Sequence, residues 1–252
     1  MRTVNEISEY FETFAPLSSA MDFDNCGLLV GNKKQSVTKV LLTLDITQSV
    51  VFEAENLGCE LIISHHPVIF SPLKKLDSAS VPYLLATKNI SALCMHTNLD
   101  LGTEFGVNIC LAKAIGIKEV QIAPLGECLF CGELSEKTDI DSLALSIKSA
   151  LNCNGLRYTN KRREVKKVAV SSGAGGSNVF SAFEMGADVL VTGESKPHEI
   201  NLANELGIDI IDVGHFKSED VVILPLKEKL ENRFSDIKFI KSQTYSDFIS
   251  YI

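Results

Sequence analysis

No run of the chain approaches the ~20 consecutive apolar residues of a membrane span. Its first ten residues, MRTVNEISEY, also lack the apolar stretch of a secretory leader. Both absences point to a cytoplasmic protein with no membrane partner. Positive charge is in short supply as well: the formal net charge is −8 and the isoelectric point lies near 5.2. A broad nucleic-acid surface needs cations clustered against phosphate and is not expected here. The one basic run, Lys161-Arg162-Arg163 with Lys166 and Lys167, precedes a strand and reads as a solvated loop. Seven scattered cysteines, an odd count, argue against a disulfide framework. Cys128-Leu-Phe-Cys131 has redox-motif spacing, but it sits in the apolar run ECLFCGEL without a second pair. It reads as thiols buried in a strand. No G-x-S-x-G elbow presents a serine nucleophile. The glycine-rich SSGAGGS (171–177) is neither a P-loop nor a dinucleotide fingerprint, because Asn178 stands where the last glycine should be. Its N–H groups could cradle phosphate, but a turn that needs glycine is the plainer reading.

What remains is an ordinary soluble composition, 45 % hydrophobic and 22 % charged, enough for one large domain or two modest ones. Thr3 and Glu6 form a capping box for a helix whose apolar face is Val4, Ile7, Phe11 and Phe14, stopped by Pro16. From Lys39 the pattern is strand (KVLLTL), helix and strand (ELIIS). Thr47 caps that helix, Val50, Val51, Ala54 and Leu57 line it, and Gly58 closes it. Such a unit predicts parallel strands joined by a right-handed crossover. A helix from about Ser80, the strand ISALCM and a helix over 104–115 follow. Residues 118–135 read as short strands broken by Pro124 and Gly126, and SLALSIKSALN as a helix. The segment after Glu219 reads as a helix kinked or restarted at Pro225, before a closing strand at Ile237 to Ile240.

A shift of 128 positions lays 39–64 over 167–192 without a gap, with Lys39/Lys167, Val40/Val168, Phe52/Phe180, Ala54/Ala182 and Gly58/Gly186 identical. The fold class expected is therefore α/β, two similar α/β units from an apparent internal duplication with a site between them. Their expected bounds are 1–124 together with 213–252, and 125–212.

Open parallel sheets bind ligands beyond the C-terminal ends of their strands. Four of the five histidines fall there: His65 and His66 after ELIIS, His96 after SALCM, and His215 after IDIIDV. Asp45, Asp100 and Glu219 occupy similar positions. A single histidine at a strand end is as often a hydrogen-bonded core residue. Together, imidazoles and carboxylates without a thiolate fit borderline or hard divalent ions such as Zn, Mn or Fe. Two ions sharing a bridging water would activate it as a nucleophile.

The motifs FDNCGLLVG (23–31), LIISHHPVIFSPLKKL (61–76), MHTNLDLGTEFGVN (95–108), VTGESKPHE (191–199) and VGHFKSE (213–219) resemble the Nif-three-like dinuclear-metal family. Its members are commonly called GTP cyclohydrolase I type 2 homologues. The resemblance spans essentially the whole chain. Phe23 stands where the family often has tryptophan, and SKPHE, with Pro197 before His198, where a double histidine is commoner. The resemblance implies two divalent ions per subunit on His65, His66, Asp100, His215 and Glu219, with Glu219 as the bridge. It places His96 nearby as a proton shuttle or supporting group. It also implies a homohexameric toroid and a hydrolase that opens the ring of GTP or a related nucleotide with a metal-bridging hydroxide. A non-enzymatic metal-binding assembly is the alternative. Gly193 and Glu194 stand at the positions matching His65 and His66, so the second half is expected to shape the site rather than repeat it.

Overall fold

A computed structural model describes residues 1–123, 127–161 and 164–252. Pro124, Gly126, Arg162 and Arg163, which figure in the readings above, lie outside these residues. The chain divides into two units, Met1–Leu99 with Ile223–Ser246, and Asp100–Val222 with Asp247–Ile252.

In the first unit, β1 (Arg2–Thr3) leads into α1 (Val4–Phe11). The Thr3–Glu6 capping box is present, and Val4, Ile7 and Phe11 are buried. The helix stops at Phe11, yet Phe14 stays buried because its ring packs edge-on against Tyr10 at 5.4 Å. After β2 (Gly27–Val30) and β3 (Ser36–Val37) come β4 (Lys39–Thr43), α2 (Gln48–Leu57), β5 (Leu61–Ser64), α3 (Val81–Thr87) and β6 (Ser91–Cys94). Thr47 caps α2 through the Val50 N–H, and Gly58 ends it in the left-handed region at φ 67°. Leu57, expected on the apolar face, is exposed at the last turn. β4, β5 and β6 are parallel neighbours in register, so Thr43, Ser64 and Cys94 end level with one another. Their apolar side chains and those of α2 and α3 form one core: Leu41, Ile46, Val50, Val51, Ile62, Leu85 and Ala92 among them.

The second unit takes up α4 (Thr97–Asp100) at its end, then α5 (Val107–Ala114), β7 (Lys118–Ile122), β8 (Phe130–Asp139), α6 (Ile140–Ala150), β9 (Arg157–Tyr158) and β10 (Glu164–Ser171). α5 begins three residues later than its apolar spacing suggests, because Gly106 sits fully extended as its N-cap. Next come α7 (Val179–Glu184), β11 (Val189–Thr192), α8 (Pro197–Leu206), β12 (Asp209–Asp212) and α9 (His215–Asp220). β10, β11 and β12 are again parallel and level, ending at Ser171, Thr192 and Asp212. The sheet order is β7-β8-β10-β11-β12-β9. The 128-residue shift carries the end of β4 onto the end of β10 and β5 onto β11. Cys131 is buried in β8, as the strand reading of the Cys128/Cys131 pair expects, while Cys128 is half-buried; no disulfide occurs among the described residues.

The chain then returns to the first unit through α10 (Ile223–Arg233) and β13 (Lys238–Lys241). Pro225 falls in the first turn of α10, where its missing N–H costs nothing. Of the kink or restart expected at Pro225, the structure shows the restart. β13 joins β4 in parallel, which gives the order β13-β4-β5-β6-β2. Beyond β13, Glu53 of α2 clasps the tail, accepting from Ser242 Oγ at 2.5 Å, Gln243 N at 2.8 Å and Thr244 Oγ1 at 2.8 Å. Burial alone would raise the Glu53 carboxyl, but these hydrogen bonds outweigh it and hold it below its usual range. A carboxyl depressed on folding adds stability that is present above its unfolded value, about 4.3. That stability is lost as the pH falls through the folded value. Glu53→Gln is therefore expected to cost about 1 kcal/mol in urea unfolding at neutral pH. The gap from wild type should close as the pH is taken well below about 4; a gap that widens in acid would contradict the assignment. No helix among the described residues is long and apolar enough to cross a membrane.

Candidate metal centre

The level ends of β4, β5 and β6 bring three candidate residues together in the first unit. His65 and His66 follow Ser64, where the strand has ended and its alternation no longer applies. The Ser64 hydroxyl donates to His66 O at 2.8 Å, turning the chain. The two rings thus lie on one side, with centroids 5.0 Å apart. His96, two residues past Cys94, completes a triad in which one ring nitrogen from each residue lies within 4.8 Å of the other two. His65 is 2 % exposed.

Each imidazole is held by its Nδ1. His65 Nδ1 meets Met95 O at 2.8 Å, His66 Nδ1 meets Asp45 Oδ2 at 2.9 Å, and His96 Nδ1 meets Asp24 Oδ1 at 2.8 Å. A carbonyl or an ionised carboxylate only accepts, so these contacts place a proton on Nδ1, and in the neutral ring the lone pair is then on Nε2. Asp24 also accepts from the Thr97 backbone and hydroxyl and from Cys26 Sγ at 3.0 Å. Burial would raise its carboxyl, but the hydrogen bonds from His96, Thr97 and Cys26 prevail and hold it far below the usual carboxylate range. It stays an anion facing His96.

In the second unit, α9 places His215 and Glu219 one turn apart, with Nε2 and Oε2 3.1 Å from each other. His215 repeats the same pattern, its Nδ1 on Glu194 Oε1 at 2.8 Å. Glu219 is 3 % exposed. Gly173, with φ +59°, leaves room for it: a Cβ there would lie 2.4 Å from Glu219 Oε1. Asp100 ends α4, accepting from Ser172 Oγ at 3.4 Å. Asn108 ties the two neighbourhoods, donating to Asp100 O at 3.2 Å and accepting from Ser172 N at 2.8 Å. Three N–H groups of the glycine-rich loop are thereby spent on protein acceptors: Ser172 on Asn108, Gly173 on Ser218 Oγ at 2.9 Å, and Gly176 on Glu194 O at 3.1 Å. This matches a glycine-requiring turn better than a phosphate cradle. His198 stands apart on α8, its side chain largely exposed and 3.8 Å from Glu199.

Asp24 and Glu194 escape sequence reasoning as imidazole-holding groups. A signal for Glu194 existed, since the 128-residue shift sets it at the position of His66. The chemistry of the donor set fits a divalent ion. Imidazoles whose second nitrogen is fixed by a carboxylate or backbone carbonyl are the usual form of a metal-binding histidine.

Residues 2–247 match the family described as Duf34/NIF3 (NGG1p interacting factor 3). A Clostridium perfringens protein called GTP cyclohydrolase 1 type 2 homolog is 34 % identical, with 99 % of each chain covered. A Helicobacter pylori protein called GTP cyclohydrolase 1 type 2 is 30 % identical over 92 % of this chain and 93 % of its own. The solved structure of a Staphylococcus aureus protein aligns with a TM-score of 0.92 at 28 % identity, covering 100 % of this chain and 99 % of that one.

Proposed function

Because the chain belongs to the Duf34/NIF3 family, we propose that it is a divalent-metal-dependent hydrolase acting on a nucleotide such as GTP. Its ligand set would be His65, His66, Asp100, His215 and Glu219. The observation that carries this reading is shared by four imidazoles: each is held by its Nδ1, which leaves Nε2 as the nitrogen to meet an ion. Five donors without a thiolate suit Zn, Mn or Fe, and they are too few to close two coordination shells, which favours catalysis over a purely structural role. Ions bound there would supply an acidified water and positive charge for a developing oxyanion.

The protein's own groups do the rest. Glu219, shielded from water, is the carboxylate best placed to be shared. His96, anchored on the Asp24 anion, is the group to carry a proton to the leaving nitrogen or oxygen. Phe70 lies edge-on to His96 at 6.5 Å and beside Phe23 at 6.3 Å. Both phenylalanines are more than half exposed, offering flat apolar walls for a purine ring. GTP itself is suggested by the family resemblance and by the names of the Clostridium and Helicobacter relatives. The homohexamer that the resemblance implies belongs to the same proposal and is read by light scattering.

The decisive experiment loads the protein with Zn, Mn or Fe and follows formate released from GTP. Glu219→Gln, which keeps the shape and removes the charge, is expected to lower the rate at least about 100-fold. Equal rates in the two proteins would end the hydrolase reading and leave a metal-binding assembly.

A further inference from the structure

We infer that Tyr245, in the C-terminal tail, is a positioning residue for the histidine centre, acting on His66 through Asp45; this rests on the metal reading above. The Tyr245 hydroxyl donates to Asp45 Oδ2, the same oxygen that accepts from His66 Nδ1 at 2.9 Å. Two donors converging on one carboxylate oxygen fix the carboxylate's rotation, and with it the plane in which the imidazole points its Nε2.

Three features bring the tyrosine there. β13 runs parallel to β4 with Lys241 opposite Leu42, so the tail leaves the sheet beside the segment that carries Asp45. Glu53 then holds residues 242–244. The phenol ring packs on the core that contains Leu41, Ile46 and Val50. That packing needs only an aromatic ring, and a phenylalanine would supply it. The hydroxyl is the part aimed at Asp45.

The test uses the full chain stripped of metal and titrated with Co²⁺, whose visible absorption reports ligand geometry, and with Zn²⁺ against a chelating indicator. Tyr245→Phe keeps the ring and is expected to weaken binding about three- to tenfold and to change the Co²⁺ spectrum. Asp45→Asn is expected to weaken it about 10–100-fold. In the double variant the tyrosine effect should vanish, because the group it acts through is already lost. A merely structural tyrosine would give effects that multiply, or a Co²⁺ spectrum and affinity equal to wild type; either result overturns the inference while leaving the metal reading intact. Failure of the wild type to take up either ion overturns both.

Discussion

His65→Gln is expected to cut divalent-ion affinity about 10²–10³-fold without unfolding the protein. Structural zinc sites are worth about 10–16 kcal/mol; shared among four donors, that is about 2.5–4 kcal/mol each, or about two to three powers of ten. Glutamine retains an N–H for Met95 O, the acceptor that His65 Nδ1 meets at 2.8 Å, so the buried carbonyl is not orphaned. What disappears is the imidazole lone pair, for which an amide is a poor substitute. Equilibrium dialysis against Zn²⁺ or Mn²⁺, followed by elemental analysis, reads the loss, with circular dichroism as the check on folding. Retention equal to wild type would move the centre away from the end of β5.

Gly193→Ala is expected to cost about 3 kcal/mol or more and to loosen ion binding at the same time. A Cβ at this position would lie 2.5 Å from Ser218 Oγ, 2.6 Å from Gly173 O and 2.9 Å from His215 Cα. The hydroxyl can rotate aside, but the two backbone atoms cannot. His215 must therefore shift, and with it the hydrogen bond from its Nδ1 to Glu194. At about 2–4 °C per kcal/mol for a chain of this size, the melting temperature should fall by about 6–12 °C. A variant that melts with wild type and binds ions as tightly would show that the crowding around Gly193 relaxes freely.

The legible part of this fold was its strand ends. β-branched, apolar runs such as LIIS and VLVT end in polar residues, and parallel α/β sheets put chemistry there, so His65, His66, His96 and His215 could be singled out from the sequence. Their partners could not. Asp24 and His96 are 72 residues apart and meet where β2 pairs antiparallel with β6, with Thr97 holding the same carboxylate by its backbone and its hydroxyl. Tyr245 reaches Asp45 across 200 residues, by way of a parallel strand pairing that no local pattern announces. Gly193 illustrates the opposite difficulty. Under the 128-residue shift it occupies the place of His65, which reads as a lost ligand until the approach of His215 and Gly173 O shows why no side chain fits. The start of α5 moved for a local reason, an extended Gly106 overriding an apolar spacing that begins earlier.

That every imidazole but the exposed His198 is locked by its Nδ1 bears on how an ion is captured. A ring left to swivel would forfeit rotational freedom on binding, on the order of 0.5–1.5 kcal/mol for each side chain immobilised. Here that freedom was surrendered when the chain folded. Capture of an ion there would cost mainly the shedding of water around the cation, with little rearrangement of the rings that meet it.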